Sequence, residues 1–147
     1  MFKKLFLPSN DSDLTSLSIL VLRLWLGLTM FCNHGLDKLA HFNDNVASFP
    51  DPLGLGKEAS FTLVLFAEVV CSLLLAIGFL TRLAAMVLVI DLVVAFAMVH
   101  KYALSGAGNG ELAFIYLAGF VALHLSGGGS FSVDMVVFSK KSKAEKA

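Results

Sequence analysis

Apolar residues run almost unbroken along most of this chain, and the charges that interrupt them lie far apart. Residues 59–80 carry one charge, Glu68, in 22 positions, and residues 83–99 carry one, Asp91, in 17. Apolar runs of about 18 residues or more predict helices that cross a bilayer. Only Thr81 and Arg82 part the two runs, just behind Gly78-Phe-Leu, which reads as a tight turn. The same pattern ahead of and behind this pair gives four spans, at residues 14–39, 58–79, 81–102 and 110–125. The predicted fold is all-α, an integral membrane four-helix bundle.

The segments between the spans are polar or rich in turn formers. Residues 1–13 form a polar N-terminal segment with Lys3 and Lys4. The run behind it is longer than the core of a secretory signal, contains Arg23 and has no small-x-small cleavage site. It therefore reads as a retained first helix, with Ser12 or Asp13 at its N-cap. In the longest connection, residues 41–57, Pro50, Pro52, Gly54 and Gly56 prevent a regular helix through the second half. Its Phe and Leu residues predict a segment that lies on the membrane surface or closes the bundle mouth as a lid. Residues 127–147 read as a glycine-rich turn, a short interfacial segment and a basic tail with Lys140, Lys141, Lys143 and Lys146. Positive charge thus gathers at the N-terminus, the Arg82 turn and the tail. The opposite loops set Lys57 and Lys101 against Asp44, Asp51 and Glu58. The positive-inside rule predicts both termini in the cytoplasm, and four crossings return the chain to its starting side.

Composition agrees with a membrane protein. The chain is 57% apolar and 15% charged, with mean hydropathy +0.82; soluble domains are about 25% charged. Net charge is zero, which removes any electrostatic case for nucleic acid. The two cysteines, Cys32 and Cys71, fall in different predicted spans and form no CxxC motif. They read as small buried apolar residues rather than as a thioredoxin-type pair or a zinc site, with a Cys32–Cys71 disulfide as the alternative if the first two helices are neighbours.

Charges inside spans are expensive and mark either architecture or function. Counted from the predicted span ends, Arg23, Glu68 and Asp91 all fall near mid-bilayer, where Arg23 is expected to pair with one of the two acids. They are either a buried ion pair that fixes helix register or a proton or ligand site. On the first helix Arg23, Gly27, His34, Lys38 and His41 share one polar stripe at 100° per residue, which must face protein or water. A second group is expected at the opposite leaflet boundary: His34, Lys38, His100 and Glu111. It suits a polar head group, a quinone carbonyl or a proton relay, or else residues that snorkel into head groups. No spacing signature of a metal site is present. His124 points away from Glu111, and Asp91 and His100 point apart on an ideal helix, so the two groups are expected to be separate unless the third span kinks.

Ordered motifs along residues 22–134 then resemble a family. Arg23, Gly27 and Phe31-Cys-Asn-His34-Gly35-Leu-Asp-Lys38 resemble its first-helix pattern. Glu68 with Leu73-Leu-Leu-Ala-Ile-Gly78-Phe-Leu-Thr81-Arg82 resembles its second. His100, Gly110-Glu111 and Gly127-Gly-Gly-Ser-Phe131-Ser-Val-Asp134 complete the order. The set is similar to the DoxX family of small four-helix bacterial membrane proteins. The chain departs from that pattern at Asp91, and at Gly128 and Ser130, where a proline and a basic residue are usual. The resemblance implies a component of the bacterial cytoplasmic (inner) membrane associated with redox systems. Relatives include the membrane part of a thiosulfate:quinone oxidoreductase and partners of oxidative-stress proteins. Three roles follow as expectations: a subunit that binds quinone or another small ligand, a non-catalytic scaffold for soluble oxidoreductases, and a small-solute carrier acting as a homo-oligomer. The chain has no haem or iron–sulfur ligand set of its own, so in the first role quinone is the cofactor and a partner supplies electrons.

Overall fold

The computed structural model describes residues 12–144, with side chains to residue 138. Most of the N-terminal segment, with Lys3 and Lys4, lies outside the described residues, as do Lys146 and the side chains of the other tail lysines. The described chain is all helix and loop. Its elements are α1 (Ser12–Ala40), α2 (Phe42–Ser48), α3 (Lys57–Ile77), α4 (Thr81–Val99), α5 (Glu111–Ser126) and α6 (Val133–Ala144).

Three helices are long and apolar enough to cross a membrane: α1 with 29 residues, α3 with 21 and α4 with 19. Helix α5 is apolar but has 16 residues, about 24 Å at 1.5 Å per residue, against a hydrocarbon core of about 30 Å. The described fold is therefore three long apolar helices and one shorter one. Helix α4 ends at Val99 rather than at residue 102, because Lys101 and Tyr102 adopt left-handed backbone (φ 51° and 61°). The first half of the 41–57 connection is helix α2, and the proline- and glycine-bearing second half is not helical.

The four apolar helices form a ring in chain order, with α5 closing against both α4 and α1. Ala67, Ala76, Ala84 and Ala85 are buried between them, as small residues are where membrane helices approach closely. Gly27 sets the closest approach of α1 to α3: a Cβ there would lie 2.8 Å from the Ser72 carbonyl oxygen. Leu75, Leu88, Phe120 and Leu123 fill the centre, while Trp25, Leu28, Leu63, Ile90 and Ile115 project outward. A surface this apolar suits acyl chains, not water.

The α3–α4 turn is built by its sequence. Gly78 sits at φ 76°, and the Gly78 and Phe79 amides donate to the Leu75 and Leu74 carbonyls, the two bonds of a Schellman ending that favours glycine. The start of α4 is then capped from far along the chain. The Asp134 carboxylate accepts from the Leu80 and Thr81 amides at 2.7 and 2.9 Å. A carboxylate at a helix N-terminus satisfies orphan N–H groups and opposes the helix dipole. Asp134 thereby fastens the start of α6 beneath the bundle.

Candidate functional site

The polar side chains inside the bundle sort into two clusters at opposite ends. At the end bearing the α3–α4 turn, Arg23 is fully buried. Its Nη2 donates to the Phe131 carbonyl at 2.6 Å, and Asp134 is the acid within its electrostatic reach. Arg23 Nε and Nη1 have no hydrogen-bond partner among the described residues.

This corrects the expected meeting of Arg23 with Glu68 and Asp91. Helices α1 and α3 run antiparallel, with Gly27 against Ser72 and Ala76, and Gly35 against the backbone of Glu68. Glu68 is thus level with Gly35, twelve residues beyond Arg23 on α1, or about 18 Å away along the axis. Helix α1 is eight residues longer than α3, so equal counts from the two helix ends do not mark equal depth.

The cation beside Glu68 is instead Lys38. Its ammonium binds both carboxylate oxygens, at 2.7 and 2.6 Å. Glu68 is buried and Lys38 about a quarter exposed. Asp91 lies within electrostatic reach of both and has no ion-pair partner within bonding distance among the described residues. His34 packs edge-on against Tyr116, with ring centroids 5.8 Å apart. His100 Nδ1 is 2.7 Å from the Gly108 carbonyl oxygen.

These groups border one cavity of about 700 Å³, lined by His34, Lys38, Glu68, Asp91, His100 and Tyr116 among mostly apolar neighbours. The groups expected to be separate are therefore partly merged. The reason is backbone geometry. Phe31–Gly35, Phe66–Cys71 and Ala95–Val99 are π-helical, and they contain His34, contain Glu68 and separate Asp91 from His100. A π turn closes on i→i+5 bonds, so each residue in it advances by less than the α-helical 100°. Over the Ala95–Val99 turn this reduces the opposition of Asp91 and His100, and both border the cavity. Such turns recur at functional sites.

Glu111 does not join them. It is exposed at the start of α5, its amide bonded to Asn109 Oδ1 at 3.0 Å. His41, expected on the polar stripe, falls just past the end of α1 and is exposed. Cys32 and Cys71 are free; Cys71 is buried as expected, but Cys32 is exposed. Among the described residues no three His, Cys, Asp or Glu side chains converge as a metal site requires. Tyr116 went unnoticed in the sequence, where a tyrosine within an apolar helix carries no mark. The stretch from Phe49 to Leu53 roofs the cavity with Phe49, Pro50, Pro52 and Leu53.

The order of these residues is that of a known family, whose sequence model, DoxX, matches residues 18–101, more than half of the chain. The chain belongs to the DoxX family. The match takes in Arg23, His34, Lys38, Glu68, Asp91 and His100, so both polar clusters draw on the family segment. A Haemophilus influenzae protein described as uncharacterized is 29% identical over 119 residues, 76% of this chain and 84% of the relative. No solved structure matches the chain significantly.

Proposed function

We propose that this DoxX protein is the membrane-embedded ligand-binding component of a redox system, and that its cavity takes a quinone-type head group. One observation carries the reading: polar side chains from all four apolar helices converge on a single, mainly apolar cavity. A binding site of this kind is a large apolar pocket with a few convergent polar groups. Lys38, Tyr116 and the imidazoles offer hydrogen-bond donors to carbonyl oxygens. Asp91, free of an ion-pair partner, is the group able to take up or release a proton without breaking one. Electron transfer is left to a partner oxidoreductase or to the quinone itself.

In this reading the chain lies in the bacterial inner membrane with both termini cytoplasmic. Helix α5, extended by the capped 127–132 loop, makes the fourth crossing, and the cavity roof faces the opposite side.

The test is mass spectrometry of small molecules that co-purify from native membranes. Quinone should be retained by the natural sequence, and Asp91→Asn should lower retention about tenfold, equivalent to about 1.4 kcal/mol, with the fold intact. Absence of quinone from the natural protein, or unchanged retention in Asp91→Asn, rejects the reading.

A further inference from the structure

Six large apolar side chains that line the cavity are also exposed. Leu53, Val99 and Leu112 lie at the loop end, whereas Leu63 (55% exposed) and Phe66 (48%) on α3 and Ile90 (54%) on α4 lie within the helices. Lining the cavity while exposed within the helices, these last three point to a thin or incomplete wall between α3 and α4. The packing of α3 explains it. The stretch Ser72–Ile77 and the π turn before it pack on α4. The first half, Lys57–Leu65, packs chiefly on α2 instead. Phe61 holds it there, wedged against Phe42 and Phe49 at ring distances of 5.3 and 5.1 Å. Beyond Phe66 the two helices therefore make little contact.

We propose that the cavity opens sideways into the bilayer between Phe66 and Ile90, and that its ligand arrives from the lipid with an alkyl tail left lying in that gap. This rests on the ligand-site reading above and adds a ligand class: a polar head group carrying one flexible apolar chain. The gap is walled by Leu63, Phe66, Ile90 and Val94, with no charge among them. A water-soluble solute gains nothing along such a path, whereas an alkyl chain exchanges one apolar phase for another. The alternative route, through the loop end, is roofed by Phe49, Pro50, Pro52 and Leu53. About 700 Å³ also lies in the range that holds a whole drug-sized molecule, more than a head ring fills.

The test places a tryptophan inside the bundle. Trp25 is the single tryptophan, so a Trp25→Phe background is dark. Tyr116→Trp, or Met30→Trp should that variant not fold, sits on the cavity wall; Phe120→Trp is as deeply buried but off the cavity. The protein is reconstituted in phosphatidylcholine vesicles with brominated acyl chains. An apolar cavity open to an apolar phase takes up apolar matter, so the cavity reporter should be quenched at least about twofold more than position 120. Ile90→Phe, which narrows the gap, should abolish that difference, and aqueous acrylamide should quench neither reporter strongly. Equal lipid quenching at the two positions, or stronger quenching by acrylamide than by lipid at the cavity reporter, overturns the proposal. No quinone enters this measurement. Lipid quenching in a protein that retains no quinone rejects the quinone reading and keeps the lateral opening.

Discussion

The two ends of this bundle treat buried charge in opposite ways. At the turn end Arg23 is sealed, held by the Phe131 carbonyl and facing Asp134. Backbone packs against it so tightly that a Cβ on Gly78 would fall 1.6 Å from Nη1. At the loop end Lys38 and Glu68 pair beside a third charge, Asp91, and all three border open space. A charge with no room around it can only hold neighbouring segments in place. A charge on a cavity wall can meet something that arrives. Stability should therefore depend most on the sealed end, and ligand retention on the open one.

The largest expected effect is that of Gly78→Ala. The new methyl group meets the Arg23 guanidinium, and the left-handed backbone at φ 76° disfavours any side chain. Left-handed strain of about 1–2 kcal/mol and overpacking of about 1–3 kcal/mol together give a loss of about 3 kcal/mol. Thermal unfolding in detergent should show it, while each molecule that still folds retains its ligand. A variant as stable as the natural protein would dissolve the contrast between the ends.

The next effect belongs to the ion pair. Lys38→Met leaves the Glu68 carboxylate buried beside Asp91. Breaking a fully buried pair costs about 3–5 kcal/mol, and the partial exposure of Lys38 brings the expected loss to about 2 kcal/mol. Removing both charges, with Lys38→Met and Glu68→Gln, should recover most of it, a coupling of about 1–2 kcal/mol in a double-mutant cycle. Ligand retention should fall in both variants alike. If the single change destabilises as much as Gly78→Ala, the open end is architectural as well.

The difference between the ends was only partly legible in the chain. The three long apolar helices and the shorter fourth were, because 59–80 and 83–99 each carry a single charge. That Glu68, Asp91, His34, Lys38 and His100 are candidates was legible from the expense of placing such groups inside a span, and the structure lines one cavity with them. Their partners were not. Counting from helix ends pairs Arg23 with the wrong acids because depth depends on how α1 slides along α3, and that offset is fixed by Gly27 and Gly35 meeting backbone, not by helix ends. The joining of Asp91 and His100 was hidden because a π turn has no residue signature. The Asp134 cap bridges more than fifty positions to reach Leu80 and Thr81, beyond any local pattern.

The smallest effect concerns the roof of the open end, which is latched by one half-buried acid. Asp51 accepts from the Ser60 hydroxyl at 2.7 Å and from the Leu55 and Gly56 amides at 3.0 and 2.8 Å. The Ser60 hydroxyl foremost, with the Gly56 amide next, holds the carboxyl below its ordinary value. The folded group therefore binds its proton less readily than the unfolded one. The latch is complete above the unfolded value of about 3.9 and weakens as pH falls through the lower folded value. A spin label on a cysteine introduced at Leu53 should keep constant mobility from about pH 7 to pH 5 and become freer only in stronger acid, beyond the ordinary carboxyl range. Asp51→Ala should show the free signal at every pH. Because Leu53 borders the cavity but not the α3–α4 gap, a freed roof should leave lipid quenching at position 116 unchanged. A label that loosens already at neutral pH, or lipid quenching that changes with it, would mean that the roof and the side opening are one gate.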